Sequence, residues 1–159
     1  MKPKYIEMRK MHFLLFFIVA SIICSCQNDD DVTDEVNYSI IGEGELYGNG
    51  QEEIEPSALI IKDSSTWIEL TTKMDSYHKV TNTFNDDIDF ESETVLAIFD
   101  SIRARTHYAV TITTIQETSN KVIVNYKKTS TSEGYDVINQ PFIIIKIPKS
   151  DNKDIMIKK

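Results

Sequence analysis

Short apolar runs separated by polar turns recur along the chain from residue 38 onward. In the run HYAVTITTIQ, Tyr108, Val110 and Ile112 fall on one face and threonines fall on the other, which is the period of two expected of a β-strand. Runs of this kind predict six strands and a candidate seventh: 38–46, 58–62, 93–100, 107–116, 121–128, 141–148 and 154–158. The fourth and fifth runs are separated by ETSN, so they should form an antiparallel hairpin.

One segment has a helical period instead. Its large apolar residues recur at spacings of three and four: Trp67, Leu70, Met74 and Tyr77. This pattern predicts an amphipathic helix over about 64–77 that packs one face down and buries Trp67, the only tryptophan. Thr66, with Glu69 three residues later, matches a capping box at the start of the helix.

Two of the predicted strands, TVLAIFD and PFIIIKI, are apolar on both faces. Strands of this kind are buried on both sides, so we expect them at the centre of the sheet or beneath the helix. The whole pattern predicts an α+β fold: a mainly antiparallel sheet or small sandwich of about six or seven strands with one packed amphipathic helix.

Four of the five glycines lie in the segment GEGELYGNG. Within it, Asn49–Gly50 is a turn signal, because both residue types tolerate a positive φ. A phosphate-binding loop is not expected, since no Lys-Ser or Lys-Thr pair follows these glycines.

The first 25 residues have the organisation of a signal peptide. Four basic residues precede an apolar stretch, Phe13 to Ile23, which is too short to cross a bilayer because a spanning helix needs about 20 apolar residues. The residues that follow, Ile23-Cys24-Ser25-Cys26, resemble the lipobox of bacterial lipoproteins, with a small residue just before the modified cysteine. That resemblance implies that residues 1–25 are removed and that Cys26 carries the lipid. Several acyl chains would then anchor the protein stably to a membrane.

The chain after Cys26 is strongly acidic. Of the 17 basic and 25 acidic residues, four basic and one acidic lie in residues 1–25, which leaves a net charge of −11 for residues 26–159. Such a charge repels phosphate backbones, so nucleic acid is not an expected partner. Residues 26–37 read as the lipidated cysteine and a flexible acidic tether, and residues 38–159 as a single domain. Acidic residues just after a lipidated cysteine resemble a surface-export signal, which favours the outer surface of the outer membrane over a periplasm-facing position.

The order of four segments, IIKDSSTWIEL, IDFESETVLAIF, HYAVTI and QPFIIIKIP, resembles the carboxy-terminal domain of the protease complex subunit PrcB family. The resemblance covers roughly residues 40 to 158. It implies a non-catalytic accessory role beside a secreted subtilisin-like protease. One departure is that Thr106-His107 precede Tyr108, where the family tends to have glycines.

The residues themselves do not predict an enzyme or a metal site. No thiol remains after cleavage and lipidation, neither His78 nor His107 has a metal-ligand spacing, and no Gly-x-Ser-x-Gly elbow is present. The acidic run NDDIDFESE does not fit an EF-hand loop, because Ser92 and Ile98 occupy the positions of the required Gly and Glu. We therefore expect no cofactor. The resemblance to the PrcB family implies a structural role for Ile88-Asp89-Phe90, in which Asp89 binds nearby backbone.

The segment DSIRARTHY holds Arg103 and Arg105, the only arginines after Cys26. Arginine is favoured at protein interfaces, so these two residues and Tyr108 are candidate partner-binding residues, such as for a secreted protease or another envelope protein. The alternative reading is that both arginines are solvated. A second function is a surface lipoprotein that binds a small ligand or carbohydrate, which accessible Tyr108, Tyr135 and Phe142 in one patch would favour.

Overall fold

The computed structural model describes residues 33–85, 87–104, 108–130, 138–150 and 152–159, all within the second of two units into which the chain divides, residues 1–31 and 32–159. The described strands are β1 (Asp34–Glu35), β2 (Ser39–Leu46), β3 (Ser57–Ile61), β4 (Glu93–Phe99), β5 (Arg103–Ala104), β6 (Tyr108–Glu117), β7 (Lys121–Ser130), β8 (Ile138–Pro148) and β9 (Asp154–Lys158). One α-helix, α1 (Ser64–Met74), and a 3-10 helix (Val80–Thr83) lie between β3 and β4. No helix in the described ranges is long and apolar enough to cross a membrane.

The strands form two sheets. The larger has the order β2-β8-β4-β3, with β5 also paired to β8, and the smaller has the order β1-β6-β7-β9. Among the described strands only β7 and β9 pair in parallel. The β6–β7 hairpin confirms the pairing predicted from the ETSN turn. The prediction of an α+β fold, mainly antiparallel with one packed helix, is thus confirmed.

The strands β4 and β8 lie at the centre of the larger sheet, as their apolar character on both faces predicts. Alternate residues of each strand enter two separate apolar clusters. Val95 and Ala97 of β4 pack with the helix residues Trp67 and Leu70 on one face. The other face packs against apolar residues of β6 and β7, so it fills the space between the two sheets.

The helix begins at Ser64, as predicted, but it ends at Met74, three residues before the predicted end at residue 77. Asp63 is the N-cap, and its carboxylate accepts a hydrogen bond from the Thr66 amide at 2.9 Å. The prediction of a capping box that starts at Thr66 is therefore wrong, because the aspartate three residues before it already satisfies that amide. At the other end, Asp75 leaves helical geometry and its carboxylate accepts the amide of Thr81 at 3.0 Å.

The buried face of α1 consists of Trp67, Leu70 and Met74, which confirms that Trp67 belongs to the core. Tyr77 lies beyond the helix end and is exposed, so its assignment to the packed face is wrong. The three-residue spacing from Met74 to Tyr77 could not show that the helix stops between them. Asn49 and Gly50 both have positive φ angles, 55° and 83°, which confirms the predicted turn.

Two short pairings lie where the sequence predicts no strand. Asp34 and Glu35, assigned to the tether, pair with Glu117 and Gln116 of β6, so the tether assignment is wrong for these residues. Val36, which follows them, explains the pairing: its amide donates to the Ile115 carbonyl at 3.0 Å, and its side chain packs against the cluster between the sheets. The second pairing is β5, which lies between the predicted strands 93–100 and 107–116.

Candidate functional site

The candidate site lies at the end of the larger sheet where β8 begins. After β4 the Asp100 amide donates to the Pro141 carbonyl at 2.8 Å, and the chain then returns to β8 through β5. In that pairing Arg103 lies opposite Asn139, and Ala104 lies opposite Ile138. The backbone of Arg103 is therefore fixed by a strand rather than carried on a free loop.

The carboxylate of Asp100 organises this end of the molecule. Although the residue is only 2% exposed, it accepts hydrogen bonds from the Ser101 amide at 2.6 Å and from Arg103 Nε at 3.2 Å. It also forms an ion pair with Lys128, which lies on β7 of the other sheet. A buried carboxylate needs such partners, because an uncompensated charge away from water is strongly unfavourable. One side chain thereby ties β4 and β5 to the second sheet.

Arg103 is held from a second side by Tyr108. Its Cζ atom lies 4.6 Å from the centre of the tyrosine ring, a cation–π geometry. The Arg103 side chain nevertheless remains 35% exposed. The structure thus brings together two of the three predicted partner-binding residues, and the third, Arg105, lies outside the described residues.

Exposed apolar side chains surround this arginine. Ile102 precedes it and extends over Gly50, where a Cβ atom would lie 2.7 Å from Ile102 Cδ1. Ile138 lies opposite Ala104 in the β5–β8 pairing, and Tyr47 directly follows β2, which also pairs with β8. We call the group Tyr47, Ile102, Arg103, Tyr108 and Ile138 the β5 patch. Three of its members, Tyr47, Ile102 and Ile138, are large apolar or aromatic residues exposed to solvent.

Buried polar side chains fix the segments beneath the β5 patch. The Asn139 amide donates to Glu45 Oε1 at 2.9 Å, and Glu45 Oε2 in turn accepts the Tyr47 hydroxyl at 2.9 Å. Gln140 donates to the carbonyls of Ile54 at 2.9 Å and Asp100 at 3.0 Å. These hydrogen bonds position the turn after β2 and the end of β4, because each donor connects segments distant in sequence.

The turn after β2 also contains a buried carboxylate. Glu52 is buried, and its Oε1 atom accepts the Gly48 amide at 2.7 Å. Any side chain at Gly48 would overlap that carboxylate, so the glycine allows the close approach. Glu52 Oε2 has no hydrogen-bond partner among the described residues.

Sequence reasoning did not select Asp100, Glu52, Asn139 or Gln140. Weak signals were present, since Asp100 ends an apolar strand and Asn139-Gln140 interrupt the apolar run of β8. Polar residues at such positions are equally common at strand ends that face solvent, so burial could not be read from them.

The other predicted candidates lie away from the β5 patch or outside the described residues. Asp89 accepts the Glu91 amide at 3.0 Å and the Ser92 hydroxyl at 2.7 Å, which confirms its structural role. These same two hydrogen bonds lower the pKa of Asp89, and the bond from the Ser92 hydroxyl has the larger effect.

The aromatic patch considered for a small ligand is not formed by Phe142, because this residue is buried in the core. Tyr135 and His107 are not among the described residues. His78 contacts the rings of Tyr47 and Tyr77 edge-on.

The β5 patch combines a charged group with apolar side chains. A fixed, half-exposed guanidinium suits a carboxylate or an aromatic ring, and the exposed isoleucines suit apolar side chains. No group of three or more His, Cys, Asp or Glu residues with metal-binding geometry occurs in the described part of the chain. Comparisons with protein-family models, with curated proteins and with solved structures give no match.

Proposed function

We propose that this chain is a non-catalytic, lipid-anchored protein of the cell envelope that binds a secreted protein, such as a protease, through the β5 patch. The observation that carries the proposal is Arg103, held between the Asp100 carboxylate and the Tyr108 ring while part of it stays exposed. Because the side chain is already ordered, a partner that binds it loses little additional side-chain entropy. Arginine and tyrosine are also the residue types enriched among interface hot spots.

The β5 patch lies far from the point where the chain enters the larger sheet. Strand β2 runs from Ser39, paired with Lys146, to Leu46, paired with Gln140 at the patch end of β8. Its eight residues separate the two ends of the sheet by roughly 25 Å at about 3.3 Å per residue. The chain enters the larger sheet at Ser39, and the β5 patch lies at the opposite end of that sheet.

The residue types in the β5 patch predict the chemistry of the partner's contact surface. Its contact surface should offer a carboxylate or an aromatic ring to Arg103 and apolar side chains to Ile102 and Ile138. The remainder of the partner should not be strongly acidic, because residues 26–159 carry a net charge of −11. The resemblance to the PrcB family supports a secreted protease as that partner.

Site-specific photo-crosslinking in intact cells tests the proposal. The crosslinking residue is placed at Ile102 in the β5 patch or, as a control, at Tyr38 just before β2. The two positions are a matched pair because their side chains are 43% and 42% exposed. We expect one secreted protein to be captured from Ile102 only, and the capture to be lost when Arg103→Ala is added. Equal capture from both positions, or capture that Arg103→Ala leaves unchanged, would contradict the proposal.

A second candidate function is the binding of a small polar ligand or carbohydrate. It is favoured by a groove at the end of the larger sheet where β2 begins. The groove has a volume of about 340 Å³ and is lined by Asn37, Tyr38, Ser39, Ser92, Glu93, Lys146, Ile147 and Pro148. Lys146 and Glu93 form an ion pair at 3.1 Å, so a ligand here would be uncharged, and Tyr38 offers an exposed ring to stack on a sugar. Binding to a glycan array that Tyr38→Ala removes would support this function over the first.

A further inference from the structure

Strand β3 forms an edge of the larger sheet. It pairs with β4 through five consecutive residue pairs without a register shift, and with no other strand among the described residues. One row of its backbone amide and carbonyl groups therefore faces outward. Such an edge can accept a further strand from another chain.

Two of the other edges, β2 and β9, carry features that oppose strand addition. Strand β2 has a register shift between Ile40 and Gly42 and contains two glutamates, and β9 begins and ends with the charged residues Asp154 and Lys158. Irregular and charged edges resist pairing with another chain. In contrast, β3 has the sequence SALII, with no charge, glycine or proline.

Apolar side chains of β3 are exposed on both faces of the sheet. Leu59 is 37% exposed and Ile60 is 41% exposed, although neighbouring residues in a strand point to opposite faces. Their partners across the pairing, Ala97 and Leu96, are buried. Apolar surface at this edge of the sheet is therefore left exposed, and one additional strand would cover it.

We propose that β3 is a docking edge for an extended apolar segment of a partner protein, which adds as an antiparallel strand with a basic residue at its carboxyl end. The charge requirement follows from Glu53 and Glu55, which are exposed just before β3. In antiparallel pairing the carboxyl end of the incoming segment lies beside these glutamates. This site shares no residue with the β5 patch, and the proposal does not depend on the function of that patch.

A second copy of this chain suits the edge less well. The two-fold antiparallel pairing that overlaps the whole of β3 is centred on Leu59, and it puts Glu55 of one copy opposite Asp63 of the other. Like charges directly opposite each other in a sheet are destabilising. In that pairing Lys62 of the second copy lies opposite Pro56 and on the other face of the strand, so it does not offset the repulsion. A different protein with a basic residue opposite Glu55 avoids the repulsion.

Hydrogen–deuterium exchange of the full-length protein tests the proposal with synthetic peptides. The probe is a short peptide of alternating valine and threonine with lysines at its carboxyl end. We expect it to slow amide exchange in residues 57–61. A peptide of the same sequence with alternate backbone nitrogens methylated should not do so, because it lacks the amides that pair with the edge.

Protein variants separate edge pairing from nonspecific association. Ile60→Lys introduces a charge on the edge and should weaken binding of the lysine peptide by about tenfold or more, whereas Ile68→Lys, at an exposed isoleucine on α1, should not. If Ile60→Lys does not fold, Glu55→Lys tests the same edge from outside the strand and should also weaken binding. Arg103→Ala should leave peptide binding intact, so failure of the β5 patch proposal would be seen separately.

Three results would overturn the proposal. The first is equal binding of the methylated peptide, and the second is protection that falls outside 57–61. The third is concentration-dependent protection of β3 without any peptide, which would assign the edge to a second copy of the chain.

Discussion

Asp100 connects the two sheets through one buried carboxylate, which contacts Arg103 on β5 and Lys128 on β7. The same contact orders the arginine of the β5 patch. Stability and the proposed recognition through the β5 patch therefore depend on one residue at this end of the molecule.

Replacing Asp100 with alanine should destabilise the fold strongly. Two cations would lose their shared buried counter-ion, and the loss of one partner from a buried ion pair costs about 3 kcal/mol or more. Urea denaturation of the wild type and the variant measures the difference. Glu69→Ala is the control, since it breaks only the exposed Glu69–Lys73 pair and should cost less than about 0.5 kcal/mol. Similar losses for both variants would contradict the assigned role of Asp100.

Gly42→Ala should also destabilise the protein, because its methyl group would overlap the ring of Phe84. That ring is confined between Trp67 and Phe142, with centroids 6.4 Å and 5.9 Å away, so it cannot simply move aside. We expect a loss of about 1–3 kcal/mol, the usual range for overpacking. In a Phe84→Leu background the same change should cost less. An equal cost in both backgrounds would show that the ring is not the cause.

The role of a residue could be predicted from sequence where a local pattern alone determines it. Trp67 belongs to a clear apolar period, and Asn49–Gly50 to a known turn chemistry, so both predictions hold. The role of Asp100 could not be derived, because its cation Lys128 lies 28 positions later in the sequence and in the other sheet. The chain alone does not indicate which cation meets which carboxylate.

Among the elements, α1 depends on the Asp63 cap. Hydrogen bonds from the Ser65 hydroxyl and from the amide and hydroxyl of Thr66 hold the pKa of Asp63 at about 2, below its ordinary value of 3.8. A lowered pKa in the folded state means that the charged cap stabilises the fold fully above pH 3.8 and loses that effect as the pH falls toward about 2.

Asp63→Asn tests this dependence, because asparagine can cap a helix but does not titrate. The difference in melting temperature between the wild type and the variant should shrink as the pH falls from about 5 to about 2. Melting curves followed by circular dichroism across this range give the difference. A difference that stays constant with pH would show that the Asp63 charge does not contribute.

The long elements were predictable and the two-residue strands were not. Each long strand and the helix carry their own periodicity, which requires no knowledge of the partner. In contrast, β1 and β5 consist of the polar or small residues Asp34–Glu35 and Arg103–Ala104, and they pair only because β6 and β8 lie beside them. The capping residue was misassigned for a related reason, since Asp63 and Thr66 are both good caps and the choice depends on the local backbone.

At the scale of the whole molecule, membrane attachment is proposed to depend on a lipid at Cys26. Cys26→Ala should abolish incorporation of a labelled fatty acid and move the protein from the membrane to the soluble fraction. Cys24→Ala is the matched control and should change neither property. Persistent labelling of the Cys26→Ala variant would contradict the lipidation proposal.

The affinity of the crosslinked partner for the full-length protein tests the central claim most directly. Arg103→Ala should raise the dissociation constant roughly thirtyfold or more, the effect expected of an interface hot spot. Lys128 remains paired with Asp100 in this variant, so circular dichroism should still show a folded protein. Tyr38→Ala, at the opposite end of the sheet, should bind the partner as the wild type does. A folded Arg103→Ala variant that binds the partner as tightly as the wild type would contradict the account.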